Sequence, residues 1–343
     1  MTGLLPHPRC DEQLQAADLW ALGVLPVLAA GALAALLGIY WDIAWHIDKG
    51  RDTFFTPPHD FLYSGLAIVL LTSLYALWRD RRKTSAHLRV GPLWLHGGIM
   101  IVSIAAGLVL AFAPLDDLWH RLFGVDITLW GPMHLIGILG LTLASFGGLV
   151  SSWLERGGTR SARRAALFGD VTLFFGAALL GWTVLVLAEY EFNVPQFPTV
   201  FHPILLGGLP SFVLVLVSRL RVRPWGATYV TAAFTIFRLA IAVWLMTASR
   251  FDLAGFSRPL IPLLVPSGIT ADILAKGHAP GWLAGLAAGA VTIVANLAVV
   301  RVADGIIWTS ATMRAVLVPA LLLAALAGWA GAAVAGVLQP RRA

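Results

Sequence analysis

Nine stretches of this chain are so continuously apolar that water cannot be their solvent. They occupy residues 19–45, 61–78, 93–115, 133–153, 166–188, 203–217, 229–246, 282–300 and 315–338. A helix needs about 20 apolar residues to cross a bilayer, with a usual range of about 17–25. Inside the hydrocarbon core every backbone polar group must be satisfied by protein, which restricts what can span it. The expected fold is therefore all-α, a polytopic membrane helix bundle of about nine transmembrane helices built from tandem helical hairpins. Residues 1–343 read as a single integral membrane domain, with hairpin-like units at 19–78, 93–153, 166–217 and 229–300 and a final helix at 315–338. The sixth run is short and is interrupted by Gly207, Gly208 and Pro210, so it starts as early as Val200 if it spans. Residues 259–265 are apolar but proline-broken, which predicts an interfacial or re-entrant piece.

Composition supports a lipid environment. Charged residues make up 12% of the chain, about half the share of a water-soluble domain, and the mean hydropathy is +0.81. Fourteen Trp and 34 Gly suit interfacial anchoring and close helix approach. The net charge of +6 does not point to nucleic acid, because the basic residues lie in short clusters between apolar runs. Arg79, Arg81, Arg82, Lys83 and Arg89 follow the second run. Arg156, Arg160, Arg163 and Arg164 follow the fourth, Arg219, Arg221 and Arg223 the sixth, and Arg301 and Arg314 the eighth. The intervening loops carry fewer, which predicts a cytoplasmic N-terminus. With nine spans, Arg341 and Arg342 then fall on the wrong side. The expected location is a bacterial inner (plasma) membrane. Asp11, Glu12 and Asp18 beside Arg9 make a poor signal-peptide start, and the run at 19–45 is long enough to remain as a span. Cys10 is the single cysteine, so no disulfide framework or thiolate cluster forms within one chain. There is no phosphate-binding glycine loop and no serine-nucleophile motif.

The histidines are distributed unevenly. Under this topology six of the nine face the non-cytoplasmic side: His46, His59, His120, His134, His202 and His278. Asp42 and His46 are four apart, so both project from one helix face. His59 opens the next helix and can fold back towards them. A carboxylate and two imidazoles are a reasonable ligand set for copper, iron or zinc. Asp42 also lies within an apolar run, where a carboxylate is costly and usually functional rather than an incidental helix cap. Asp52 suits a supporting role on an imidazole. The second loop repeats the plan with Asp116, His120 and His134. Seventy-four residues separate Asp42 from Asp116 and His46 from His120, and 75 separate His59 from His134. Asp126 follows His120 as Asp52 follows His46, and Asp117 is an alternative to Asp116. A third unit keeps only Glu189 and His202, with Glu191 nearby, and a fourth only Asp272 and His278, a pattern of decaying repeats.

The first loop resembles the metal-binding segment of the C subunit of the particulate methane monooxygenase and ammonia monooxygenase family. Asp42, His46 and His59 match its ligand positions, and Arg51-Asp52-Thr53 with Phe55-Thr56-Pro57 matches the text between them, over residues 40–65. The resemblance implies copper and partner membrane subunits, and the charge bias puts the site at the non-cytoplasmic face. It implies a possible place as a subunit of a copper-dependent monooxygenase, though oxidation itself needs those partners. Two further readings stay open: a metal transporter or metal-delivery protein, and an accessory subunit with a structural metal site. The lipid bilayer is one partner, other membrane subunits or a homo-oligomer another, and nucleic acid is not expected.

Arg238, near the centre of the seventh run, needs a buried partner, and Asp170 or Asn296 are the candidates by sequence. In the transport reading these three lie on the inward path. His96 reads as a histidine hydrogen-bonded between helices, and His7 and His87 as solvated. Trp45, Trp78, Trp119 and Trp153 read as interfacial anchors.

Overall fold

The computed structural model describes residues 19–50, 54–80, 82–84, 86–124, 128–247, 259–302 and 306–339. The Arg51-Asp52-Thr53 segment, Asp126, His7 and Cys10 lie outside these. Among the described residues nine helices are long and apolar enough to cross a membrane, and the molecule is a polytopic α-helical bundle.

A π-helical turn, Leu19–Val24, leads into α1 (Leu25–Lys49). Gly50 stops that helix with a φ of 73°, a conformation glycine adopts freely. α2 (Pro57–Arg79) starts where Thr56 caps it, its side chain accepting from the His59 N–H, and where prolines occupy the first turn. A short antiparallel hairpin follows, β1 (His87–Val90) and β2 (Leu93–His96). The third apolar run thus begins as a strand and becomes helical at α3 (Gly97–Phe123), which Gly124 ends at a φ of 93°. Pro132 then opens α4 (Pro132–Gly158).

After α5 (Ala162–Leu185) a single turn, α6 (Ala188–Glu191), lies over the site end of the bundle. α7 (Phe201–Gly208) and α8 (Pro210–Leu220) together make the sixth crossing, broken where Pro210 forces it. α9 (Gly226–Thr247), α10 (Val265–Lys276), α11 (Gly281–Val302) and α12 (Ser310–Leu338) complete the chain.

α1 packs on α2, and α3 on α4. Both pairs close through glycines. A Cβ at Gly65 would sit 2.7 Å from the Ala35 backbone, and one at Gly147 would sit 2.8 Å from the Gly98 carbonyl. α7 and α8 pack mainly against α12 and much less against α5, so the hairpin plan is tight in the first half of the chain and looser beyond it. Ile104, Ile236, Val294 and Leu322 are exposed on the outside of the bundle, as expected where lipid is the solvent.

The segment at 259–276 corrects the expected order of crossings. Leu260 donates to the Glu191 carbonyl at 2.6 Å, and Leu263 exchanges two hydrogen bonds with the Asn296 side chain, well along α11. Asp272 reaches the first turn of α9, accepting from the Thr228 amide at 2.8 Å. The segment therefore runs lengthwise through the bundle, extended and then helical, rather than lying at its surface. Its far end meets the arginine-rich end, where the Arg221 side chain lies 3.4 Å from His278 and Arg219 donates to the Ala279 carbonyl. His278 is thus at the end opposite the other five histidines assigned to the outer face. α12 also ends there, since Gln339 donates to the Arg219 carbonyl and Trp153 to that of Leu338. Arg341 and Arg342, which the sequence places on the side opposite the other arginine clusters, lie outside the described residues.

Candidate metal centre

The first hairpin gathers its acid and histidines by simple means. Asp42 and His46 sit one turn apart near the end of α1, and the turn at Gly50 sends the chain back. The Thr56 cap then places His59 as the third residue of α2. His59 Nε2 lies 3.1 Å from Asp42 Oδ1, and His46 Nδ1 lies 3.8 Å from Asp42 Oδ2. The two rings are 5.7 Å apart. Asp42 and His59 are buried. Tyr63 stacks on His59, and Phe54 on Tyr63.

The second hairpin builds the same figure. Asp116 and His120 are one turn apart on α3, Gly124 turns the chain, and His134 is the third residue of α4. Asp116 Oδ1 lies 3.4 Å from His120 Nε2 and 3.5 Å from His134 Nε2, with the rings 5.5 Å apart. Asp117 is not its substitute, because it pairs with Arg121 at 2.7 Å.

The second nitrogen of each opening histidine decides what these sets can hold. His59 Nδ1 is 3.0 Å from the Phe54 carbonyl, and His134 Nδ1 is 2.9 Å from the Thr128 carbonyl. A carbonyl only accepts, so Nδ1 carries its proton and Nε2 faces a carboxylate oxygen. Such a ring either takes a second proton or gives the Nε2 lone pair to a cation. Backbone carbonyls hold metal-bound imidazoles in the same way. In each set one ligand atom from every residue lies within 4.8 Å of the others, so either group could hold a metal ion. The donor set fits copper, iron and zinc alike.

Asp42, His46 and His59 of the first set and Asp116 and His134 of the second line one cavity of about 410 Å³ between α1, α2, α3 and α4. Glu189 lies at its roof and accepts from the Thr128 hydroxyl, the Leu129 amide and the Gln196 amide. It thereby fixes the segment whose carbonyl holds His134, a supporting position rather than a ligand of either set.

Other expected residues go elsewhere. His202 stacks on Tyr190 and accepts from the Trp308 indole at 3.2 Å. Asp272 caps α9. Arg238 pairs with Glu191 at 2.7 Å and with the Tyr40 hydroxyl at 2.9 Å, so neither sequence candidate is its partner. Asp170 bonds Arg223, and Asn296 bonds Leu263.

A cluster that the sequence did not announce lies at the arginine-rich end. Arg82 bridges Asp80 at 2.7 Å and Glu155 at 2.8 Å. His87, expected to be solvated, is buried 3.1 Å from Asp80, and His96 caps α3 with Nε2 3.5 Å from Glu155. Burial pushes the Asp80 carboxyl up, but hydrogen bonds from His87 and Arg82 outweigh this and hold it well below the usual carboxylate range. The available signal was the symmetric placing of His87 and His96 about the turn at Gly91, where strand pairing sets them opposite each other.

Comparison with known proteins finds no match to this chain among protein-family models, curated proteins or solved structures.

Proposed function

We propose that this protein is a membrane metal-binding component similar to the C subunit of the copper membrane monooxygenases. Asp42, His46 and His59 would hold one ion, and Asp116, His120 and His134 a second. The observation that carries this reading is the repeated convergence of one carboxylate and two imidazoles, each opening imidazole braced by a backbone carbonyl. The copper assignment rests on the sequence resemblance over residues 40–65, since the donor set alone suits iron and zinc too. The site faces the non-cytoplasmic side of a bacterial inner membrane, with the N-terminus in the cytoplasm, on the strength of the arginine bias at the opposite end.

Copper bound here would supply one-electron redox chemistry towards dioxygen. The chain's own residues do the rest. Asp42 and Asp116 offset the charge of the ions, the two carbonyls orient the rings, and the bundle keeps the chamber below largely apolar. Partner membrane subunits supply what full turnover requires.

Elemental analysis of purified protein tests the reading. Wild type is expected to carry copper, with the larger losses in Asp42→Asn and His59→Ala and a partial loss in His134→Ala. Equal metal content in all four proteins would overturn the ligand assignment.

A further inference from the structure

The cavity continues well below the two ligand sets, and its walls change character with depth. On α2, Leu66 lies seven residues beyond His59. On α3, Val109 lies seven before Asp116, and on α4, Leu141 lies seven beyond His134. All six residues line the one chamber. Seven helical residues are two turns, about 10 Å. The polar groups thus form one level near the loops, while the two turns below are apolar and close on Trp182 of α5. Protein interiors rarely keep voids much larger than a water molecule, and about 410 Å³ lies in the ~300–1,000 Å³ range of pockets that enclose an organic ligand.

A polar roof over an apolar shaft fits a molecule of the same polarity. Asp42, Asp116 and Glu189 all border the upper level, so the head that suits it is one that can donate a hydrogen bond to a carboxylate, as a hydroxyl does. We propose that this cavity binds a single-headed aliphatic alcohol drawn from the bilayer, its hydroxyl level with the two acid–histidine sets and its chain directed towards Trp182. The proposal rests on the metal-centre reading only in giving that hydroxyl its position.

Gly137 supplies the test. It lines the cavity, and a Cβ built on it meets nothing within 4 Å. Gly137→Phe therefore fills the shaft without pressing on backbone, and Gly137→Leu is a milder second variant. Full-length protein in phosphatidylcholine nanodiscs would be irradiated with a diazirine-bearing decanol, and adducts mapped by peptide mass spectrometry. Adducts are expected at Leu66, Val109 and Ile138. They should be displaced by excess decanol but not by equal decane or decanoate, and fall about tenfold in Gly137→Phe while metal content stays at the wild-type level. Adducts confined to the outward-facing Ile104 and Leu139, adducts unchanged in both Gly137 variants, or equal displacement by decane would overturn the proposal without touching the metal reading. Full metal in His59→Ala would instead overturn the metal reading, with the adduct pattern still read independently.

Discussion

Arg238 and Glu191 are both about 1% exposed, and the guanidinium also lies 4.1 Å over the Tyr40 ring. Replacing Arg238 with Met leaves a buried carboxylate with its charge partner gone, which costs about 3–5 kcal/mol. Glu191→Leu leaves the guanidinium with Tyr40 as its main polar contact and should cost a similar amount. Removing both charges, as in Arg238→Met/Glu191→Leu, should return stability to within about 1 kcal/mol of wild type, because a buried pair often contributes little beyond its apolar replacement. The cycle would then show a coupling of about 5 kcal/mol or more. Unfolding in mixed dodecylmaltoside–SDS micelles, followed by tryptophan fluorescence, measures each corner. Metal content gives a second readout, since Tyr40 precedes Asp42 by two residues on α1. The double variant should keep its metal. Additive costs in the cycle, or metal lost from the refolded double variant, would refute the clamp and reopen a role for Arg238 in transport.

Glu189→Gln should loosen the Thr128 segment and reduce metal only to the level of His134→Ala; a loss as large as that of Asp42→Asn in elemental analysis would contradict the supporting role. Gly65→Leu forces α1 and α2 apart and should destabilise the fold by about 1–3 kcal/mol while removing metal from the first set, as read by thermal unfolding and metal content. Asp80 has a depressed folded pKa, so its stabilisation is present above the unfolded value of about 3.9 and is lost as pH falls below it through the folded value. Asp80→Asn should therefore be less stable than wild type at neutral pH, and the two unfolding midpoints should converge in acid. Single cysteines at Phe55, Lys83 and Gln339 in a Cys10→Ser background should react with an impermeant thiol reagent in intact cells only at Phe55; labelling at both Phe55 and Gln339 would remove the extra crossing at 259–276.

Helix positions and the two ligand sets were legible because each follows from spacing. Twenty apolar residues make a span wherever they occur, and a carboxylate four residues before a histidine shares its face regardless of context. The partner of Arg238 was not legible, because Glu191 comes from a single turn that no periodicity marks and reaches α9 only through the packing of the bundle. The burial of His87 was missed for a related reason: it reads as a solvated loop residue, whereas a four-residue strand pairing sets it opposite His96 and folds its ring inward. Residues 259–276 escaped because the sequence test for a span assumes helix throughout. Here the first part of the crossing is extended, with the Leu263 backbone satisfied by the Asn296 side chain instead of by a helical neighbour.

The two ligand sets also show how a repeat tolerates an insertion. The second loop is one residue longer between its histidines. The carbonyl that holds the opening ring lies five residues before His59 but six before His134, so the extra residue falls between anchor and ring and leaves both ring positions alike. The anchors themselves are held differently. Phe54 is fixed by stacking on Tyr63 inside its own hairpin, whereas Thr128 depends on Glu189, which arrives from α6. The first set is thus complete within α1 and α2, and the second is complete only when the middle of the chain has packed over it. That difference orders the two sets by physical dependence: anything that shifts α6 reaches His134 through Thr128, while the Phe54–Tyr63–His59 stack keeps the first imidazole in place.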